Sequence, residues 1–128
     1  LWGDSLANKQ LAEAIKTWNE AAEVYDFLVQ VNPDEPADIY IGLNFLQKPI
    51  IGLAQPYQNG PCFILIHWEN AYWASDYQHE IGHCIGFAHD SSKANLTMGL
   101  AVPPILSPVD AKLAKYLKWR LTQLTRFK

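Results

Sequence analysis

The residues with the clearest chemical meaning lie in one short segment, His79 to His89. His79 and His83 are four residues apart, so on a helix their imidazoles lie one turn apart on the same face. Both rings can then place a nitrogen about 2.0–2.1 Å from a single Zn²⁺. Glu80 follows His79 directly and can reach a water bound to that ion. The spacing therefore predicts a histidine metal site with a carboxylate beside it.

A third ligand has to come from beyond the helix. Gly86 permits a left-handed or otherwise sharp turn that a side chain would resist, and this turn can bring His89 to the metal from another side. Three neutral nitrogens leave a fourth position for water, as in catalytic rather than structural zinc sites. Zinc lowers the pKa of that water toward ~7, and Glu80 can take its proton and pass it to a leaving amine. The predicted chemistry is amide hydrolysis without a covalent intermediate.

Hydrophobic spacing and helix-capping residues predict the helices and strands that could position these residues. A stripe from Leu11 to Tyr25, with a cap at Asp4 or Ser5, predicts a long first helix. Four short apolar runs predict strands over 27–31, 37–43, 50–55 and 62–66, the last covered on both faces. A further helix, which carries His79 and His83, is predicted over residues 76–86 and stops at Gly86. Ser107, Pro108 and Asp110 have the order of a helix start, and an apolar stripe follows them.

Composition excludes several classes of protein. The 128 residues suffice for one domain, and 49% hydrophobic with 18% charged residues excludes a disordered chain. The net charge of −3 argues against nucleic acid as the main partner, and no apolar run is long enough for a membrane span. Two cysteines, Cys62 and Cys84, can pair or stay free. The chain starts at Leu1 rather than Met, so we expect a processed or trimmed product.

The motif resembles a known clan of zinc peptidases. Residues 79–89 have the pattern HExxHxxGxxH of the metzincins, and Thr97-Met98-Gly99 is similar to their methionine turn. In that resemblance Met98 forms an apolar floor below the imidazoles and is not a ligand. The helix from residue 5, the strand at 37–41 and the segment 52–54 follow the order found in matrixins, the closest group. The residue after the third histidine is Asp90, as in adamalysins.

The resemblance implies a fold and a division of the chain. The expected class is α/β, of the α+β zincin-like kind, with a twisted mixed four- to five-stranded sheet, a backing helix and an active-site helix. Residues 1–128 form one catalytic domain, with 1–89 as an upper subdomain and 90–128 as a small irregular lower subdomain that ends in a helix. A first strand before the long helix is expected in the family, so either it was removed or the chain is a minimal four-stranded version.

The expected activity is that of a zinc-dependent endopeptidase with Glu80 as general base. The resemblance places an extended peptide or protein substrate along the edge strand at Gly52, Leu53 and Ala54. The uncharged stretch after the methionine turn would form the wall of the pocket for the residue after the cut, with Val102, Pro103 and Pro104 in it. This wall predicts cleavage before apolar residues. Two alternatives stay open, namely a zinc-binding interaction domain with lost or latent activity and hydrolysis of a non-peptide amide.

Cofactors, partners and location are also expected from the resemblance. One catalytic Zn²⁺ is expected. Matrixins hold a second, structural zinc with earlier histidines, but here only His67 precedes the motif, so we expect none. Acidic, glycine-rich loops are missing from the sequence, so calcium is not expected either. His67 is interpreted as a hydrogen-bonded strand residue. The protein is expected to be a monomer and to be secreted or otherwise extracytoplasmic.

Overall fold

The computed structural model describes residues 5–32, 34–44, 52–56, 60–67, 73–89, 97–99 and 106–126. Three helices and three strands lie in these ranges. In chain order they are α1 (Ser5–Ala22), β1 (Ile39–Asn44), β2 (Gly52–Pro56), β3 (Cys62–His67), α2 (Ala74–Ile85) and α3 (Ala111–Arg126). None of the helices in the described part of the chain is long and apolar enough to cross a membrane.

The sheet has the order β1-β3-β2, with β3 in the centre. β1 runs parallel to β3 with Ile41 opposite Ile64, and β2 runs antiparallel to β3 with Ala54 opposite the same residue. Ile64 and Ile66 are buried because alternate side chains of a strand share one face. Phe63, on the other face, is 41% exposed, so the prediction that both faces of this strand are covered is wrong.

The predicted α/β class with a four- to five-stranded sheet is wrong, because the described residues form three strands, of which only β1 and β3 are parallel. The strand predicted at 27–31 consists of bends and irregular backbone. The Asn19 side chain accepts a hydrogen bond from Leu28 N–H at 2.7 Å and donates one to Leu28 C=O at 3.0 Å. An apolar run becomes a strand only beside a partner, and no neighbouring strand meets this one among the described residues.

The helix α1 packs most of its predicted stripe into the core, with Leu11, Trp18 and Ala22 buried and Ile15 partly buried. It ends at Ala22, where Glu23 takes a positive φ of 56° and stops the helical hydrogen bonding. Tyr25, predicted as the last member of the stripe, therefore lies beyond the helix and is 97% exposed.

The helix α2 is tied to the sheet by a disulfide, and α3 starts later than the sequence predicts. Cys62, at the start of β3, forms a disulfide with Cys84 of α2, with the two Cα atoms 5.7 Å apart. This bond decides between the paired and free states that the sequence left open. α3 begins at Ala111, later than the predicted start at Ser107, and the Asp110 carbonyl accepts its first helical bond from Ala114 N–H at 3.0 Å.

Candidate metal centre

The helix α2 and the turn after it bring three histidines together. His79 and His83 lie one turn apart on α2, with ring centroids 4.9 Å apart. α2 ends at Ile85 and is capped by Gly86, which has a φ of 114° and donates its N–H to the carbonyls of Gly82 and His83. This left-handed turn sends the chain back along the helix, so that His89 meets both rings. The predicted use of Gly86 as a helix stop is confirmed.

The three Nε2 atoms of the histidines converge on one point. His89 Nε2 lies 3.1 Å from His79 Nε2 and 3.1 Å from His83 Nε2. Two of the outward nitrogens face backbone carbonyls, His79 Nδ1 at 2.8 Å from Thr97 O and His83 Nδ1 at 2.8 Å from Phe87 O. A carbonyl oxygen only accepts, so each Nδ1 must carry the hydrogen, which leaves the Nε2 of each ring with a lone pair.

These hydrogen positions make the cluster fit a cation. His89 Nε2 can donate a hydrogen to only one of the other two Nε2 atoms, so at least one of the two 3.1 Å contacts between ring nitrogens has no hydrogen bond. A positive ion between them removes this conflict. Three imidazole nitrogens at about 2.0–2.1 Å from one tetrahedral ion would be about 3.3 Å apart, close to the observed spacing. The three histidines can hold a metal ion, and they are the one such group among the described residues.

Burial favours, in His79 and His83, the neutral form that metal binding requires. Burial lowers the pKa of His79 from its ordinary 6.5 to about 4, with smaller contributions from the neighbouring His83 and His89 and an opposing one from the Thr97 hydrogen bond. Burial also lowers the pKa of His83. His89 is exposed and His83 is half-buried, so the cluster opens to solvent on the side of these two rings.

Glu80 is a buried carboxyl group on the same helix. Glu80 is only 5% exposed. Burial and, to a lesser degree, the charge of Asp76 one turn earlier raise the pKa of Glu80 from 4.5 to about 7. A carboxyl group in such surroundings can both take and release a proton near neutral pH. Glu80 follows His79 directly and therefore lies on the helix that carries two of the three histidines.

Met98 packs against the helix that carries two of the ligands, at Gly82. The residue is fully buried, and its Sδ is the nearest atom to the space that a Cβ on Gly82 would occupy. Trp18 of α1 closes the same place, with Cζ2 at 3.1 Å from that Cβ position. Trp18 also donates from Nε1 to Gln78 O at 3.0 Å. Gly82 thus gives Met98 and Trp18 room to pack directly against the backbone of α2.

A pair of hydrogen bonds ties the methionine turn to the start of α3. Thr97 N–H donates to Asp110 Oδ1 at 3.1 Å, and Asp110 N–H donates to Thr97 Oγ1 at 3.2 Å. Thr97 also accepts the Nδ1–H of His79, so Asp110 holds the residue that orients a ligand. Sequence reasoning assigned Asp110 only to a helix start and gave Thr97 no role. Nothing in the local pattern connects residues 13 positions apart.

The remaining predicted residues have mixed outcomes. Gly52, Leu53 and Ala54 lie in β2, which is an edge strand of the described sheet. His67 is the last residue of β3, is buried and is separate from the histidine cluster. The predicted wall residues Val102, Pro103 and Pro104 lie outside the described residues, and so does Asp90.

Comparisons with known proteins add no family to this geometry. No protein-family model matches the chain, and no curated protein matches it. The function of this chain therefore has to be inferred from its own residues.

Proposed function

We propose that this chain is a zinc-dependent endopeptidase of the metzincin clan, most similar to matrixins and acting as a monomer. The observation that carries the proposal is the convergence of the Nε2 atoms of His79, His83 and His89, two of which have a free lone pair because their Nδ1–H groups bond to carbonyls. The same helix supplies Glu80, a carboxyl group suited to proton transfer. Imidazole ligands with a tetrahedral arrangement favour zinc over calcium or magnesium.

The residues have distinct roles in the proposed reaction. Zinc, when bound, supplies Lewis acidity and lowers the pKa of a neighbouring water toward ~7. Glu80 takes a proton from the water as the water oxygen bonds to the carbonyl carbon of the substrate. Glu80 then gives this proton to the amide nitrogen as the C–N bond breaks, which releases an amine and a carboxylic acid. Thr97 and Phe87 keep two ligand rings in the required tautomer through their carbonyls.

The proposed substrate is an extended peptide along β2. Gly52, Leu53 and Ala54 lie on an edge strand whose outer side can pair with an added strand, and main-chain bonds would give affinity without sequence preference. Val102, Pro103 and Pro104 would form an apolar wall that favours cleavage before medium or large apolar residues. Sequencing of cut sites in a peptide library tests this wall, and a preference for charged residues after the cut would contradict it.

The proposed location is secreted or extracytoplasmic. The Cys62–Cys84 disulfide supports it, because such bonds persist in oxidising compartments and are rare in the cytosol. We further propose one catalytic zinc per chain, without a structural zinc or calcium. Metal analysis of the desalted protein should find close to one equivalent of zinc.

The decisive experiment compares the chain with its Glu80→Gln variant on a fluorogenic peptide library. Gln has the size of Glu but cannot act as a base, so the variant should keep one zinc and its fold while cleavage falls by several orders of magnitude. Glu13→Gln, an exposed carboxyl on α1, is the matched control and should cleave as the wild type does. A chelator should abolish cleavage by the wild-type protein.

Two outcomes would favour the alternatives. A folded wild-type chain with one zinc that cleaves no peptide, and no small amide either, would be an interaction domain. Cleavage of small acyl amides but not of peptides would indicate a non-peptide substrate. Equal peptide cleavage by the wild type and Glu80→Gln would contradict the role of Glu80.

A further inference from the structure

The outer edge of β1 borders a groove that is separate from the metal centre. β1 stands first in the order β1-β3-β2, so only one of its edges is paired within the described residues. A cavity of about 550 Å³ lies beside it, between the start of β1 and the segment 26–32. None of the three histidine ligands lines this cavity, and neither does Glu80. The substrate strand proposed above, β2, forms the opposite edge of the sheet.

The floor of this β1 groove is apolar. Leu11 and Ile15 of α1, Ile81 of α2, and Ile39 and Ile41 of β1 all contribute to its lining. These residues come from three different elements that pack together in the core. An apolar side chain that entered the groove would therefore be removed from water on several sides, which stabilises binding.

The wall opposite β1 is an irregular chain segment with exposed apolar side chains. Val29 is 65% exposed and Val31 is 45% exposed, while the Asn19 side chain fixes both backbone groups of Leu28 just before them. On the β1 side, Tyr40 is 39% exposed and stacks on Phe63 with centroids 5.4 Å apart. The groove thus has an open strand edge on one side and exposed valines on the other.

The charged residues that line the groove have one sign. Asp26, Glu35 and Asp38 line it, and among the described residues no lysine, arginine or histidine does. All three acids are exposed, so they form a negative rim above the apolar floor. A second copy of this chain would bring two such rims together, so charge disfavours pairing of the groove with itself. A basic ligand, in contrast, gains from attraction to the rim.

We propose that the β1 groove binds an extended, basic segment of a partner protein as an added β-strand. The segment pairs its backbone with the open edge of β1 and places alternate apolar side chains on the floor. Its lysine or arginine side chains point to Asp26, Glu35 and Asp38. This binding does not require the metal, so it stands or falls independently of the proposed peptidase activity.

The test uses a fluorescein-labelled peptide of seven residues in which valine and lysine alternate, with valine first and last and with blocked ends. Fluorescence anisotropy measures its binding to the zinc-loaded Glu80→Gln chain, in which the proposed cleavage is blocked. Asp26→Lys with Asp38→Lys should weaken binding more than tenfold. Glu13→Lys, on the face of α1 away from Leu11 and Ile15, should change it less than twofold. A glutamate-valine peptide should not bind.

Two further measurements examine strand addition itself. A peptide with proline in place of the central lysine lacks one N–H and should bind at least tenfold more weakly. Hydrogen exchange of the backbone amides should slow at Ile39 to Ile41 and at Val29 to Val31 when the peptide is bound. Equal binding by the wild-type rim and the double lysine variant would overturn the proposal. Slowed exchange at β2 in place of β1 would overturn it as well.

Discussion

The metal centre and the β1 groove use opposite sides of the same helix. His79 and His83 point to the metal centre, while Ile81, two residues from each, lines the groove. In the metal centre, two of the ligand rings are fixed because His79 Nδ1 and His83 Nδ1 each face a backbone carbonyl. In the groove, valines are exposed to solvent and a strand edge has no partner among the described residues.

This difference shows how the two regions obtain their structure. The metal centre needs a helix, whose hydrogen bonds are local, and a few fixed contacts beneath it. The groove lies along the outer edge of β1, which has no neighbouring strand among the described residues. Because the hydrogen bonds of a strand are made to another segment, this edge can still pair. The three histidines and the carbonyls that orient two of them are therefore already in place among the described residues, whereas the groove can gain structure from a second segment. Substitutions should accordingly have large effects in the first region and small effects in the second.

Loss of a ligand should have the largest effect. His89→Ala removes one of three nitrogens, and since loss of an outer partner of a ligand already costs about 10–100-fold in affinity, we expect a loss on the order of a thousandfold. Competition with a fluorescent zinc chelator measures it. His67→Ala changes the one histidine outside the cluster and should leave zinc affinity within a few fold. Equal zinc affinity in the wild type and His89→Ala would remove His89 from the site.

Removal of the disulfide should have the next largest effect. Cys62 and Cys84 close a loop with a sequence separation of 22 residues. Replacement of both by serine should lower the free energy of unfolding by about 3 kcal/mol, because the unfolded chain regains conformational freedom. Urea unfolding of both forms measures the change. A change below about 0.5 kcal/mol would show that β3 and α2 are held together without this bond.

Gly82→Ala tests the packing below the metal centre. Alanine normally favours a helix over glycine by about 1 kcal/mol, but here its Cβ would collide with Met98 Sδ and press on Trp18. We expect net destabilisation of about 1–3 kcal/mol, since overpacking of a closed core forces side chains from their rotamers. Chemical denaturation of the metal-free proteins gives the value. A more stable variant would mean that Met98 moves aside without cost.

The pH dependence of zinc binding tests the burial of the ligands. Below pH 6.5, three ordinary imidazoles would each lose a proton on binding zinc, and the logarithm of affinity would change by up to about three per pH unit. The pKa of His79 is lowered to about 4, so between pH 6 and 5 this residue has no proton to lose. Affinity should fall as pH falls, with a slope of about two or less. The measurement uses the Glu80→Gln variant, so that titration of the Glu80 carboxyl does not contribute. A change in the logarithm of zinc affinity of about three per pH unit would contradict the burial of His79.

Val29→Ala should have the smallest effect. The side chain is 65% exposed on the groove wall, so its loss should change the free energy of unfolding by less than about 0.5 kcal/mol. Chemical denaturation of Val29→Ala and Gly82→Ala under the same conditions compares the free energies of unfolding in the two regions directly. Destabilisation above about 1 kcal/mol would show that Val29 packs against the protein more than its exposure indicates.

The sequence alone determined the local part of the metal centre. His79, His83 and Gly86 depend on helical periodicity and on a left-handed turn that glycine adopts easily, and both are properties of neighbouring residues. The helices were also predicted to within a few residues at most ends. The exceptions, Tyr25 and the start of α3, lie where a helix is stopped or started by contacts outside its own pattern.

Only the tertiary structure decided which distant residues meet. The pairing of Cys62 with Cys84, the Thr97–Asp110 hydrogen bonds and the position of Trp18 under Gly82 all join segments that no periodicity connects. The same holds for 27–31, whose apolar residues predict a strand that does not form. A helix satisfies its backbone within its own residues, while a strand depends on a neighbour that the rest of the fold must bring.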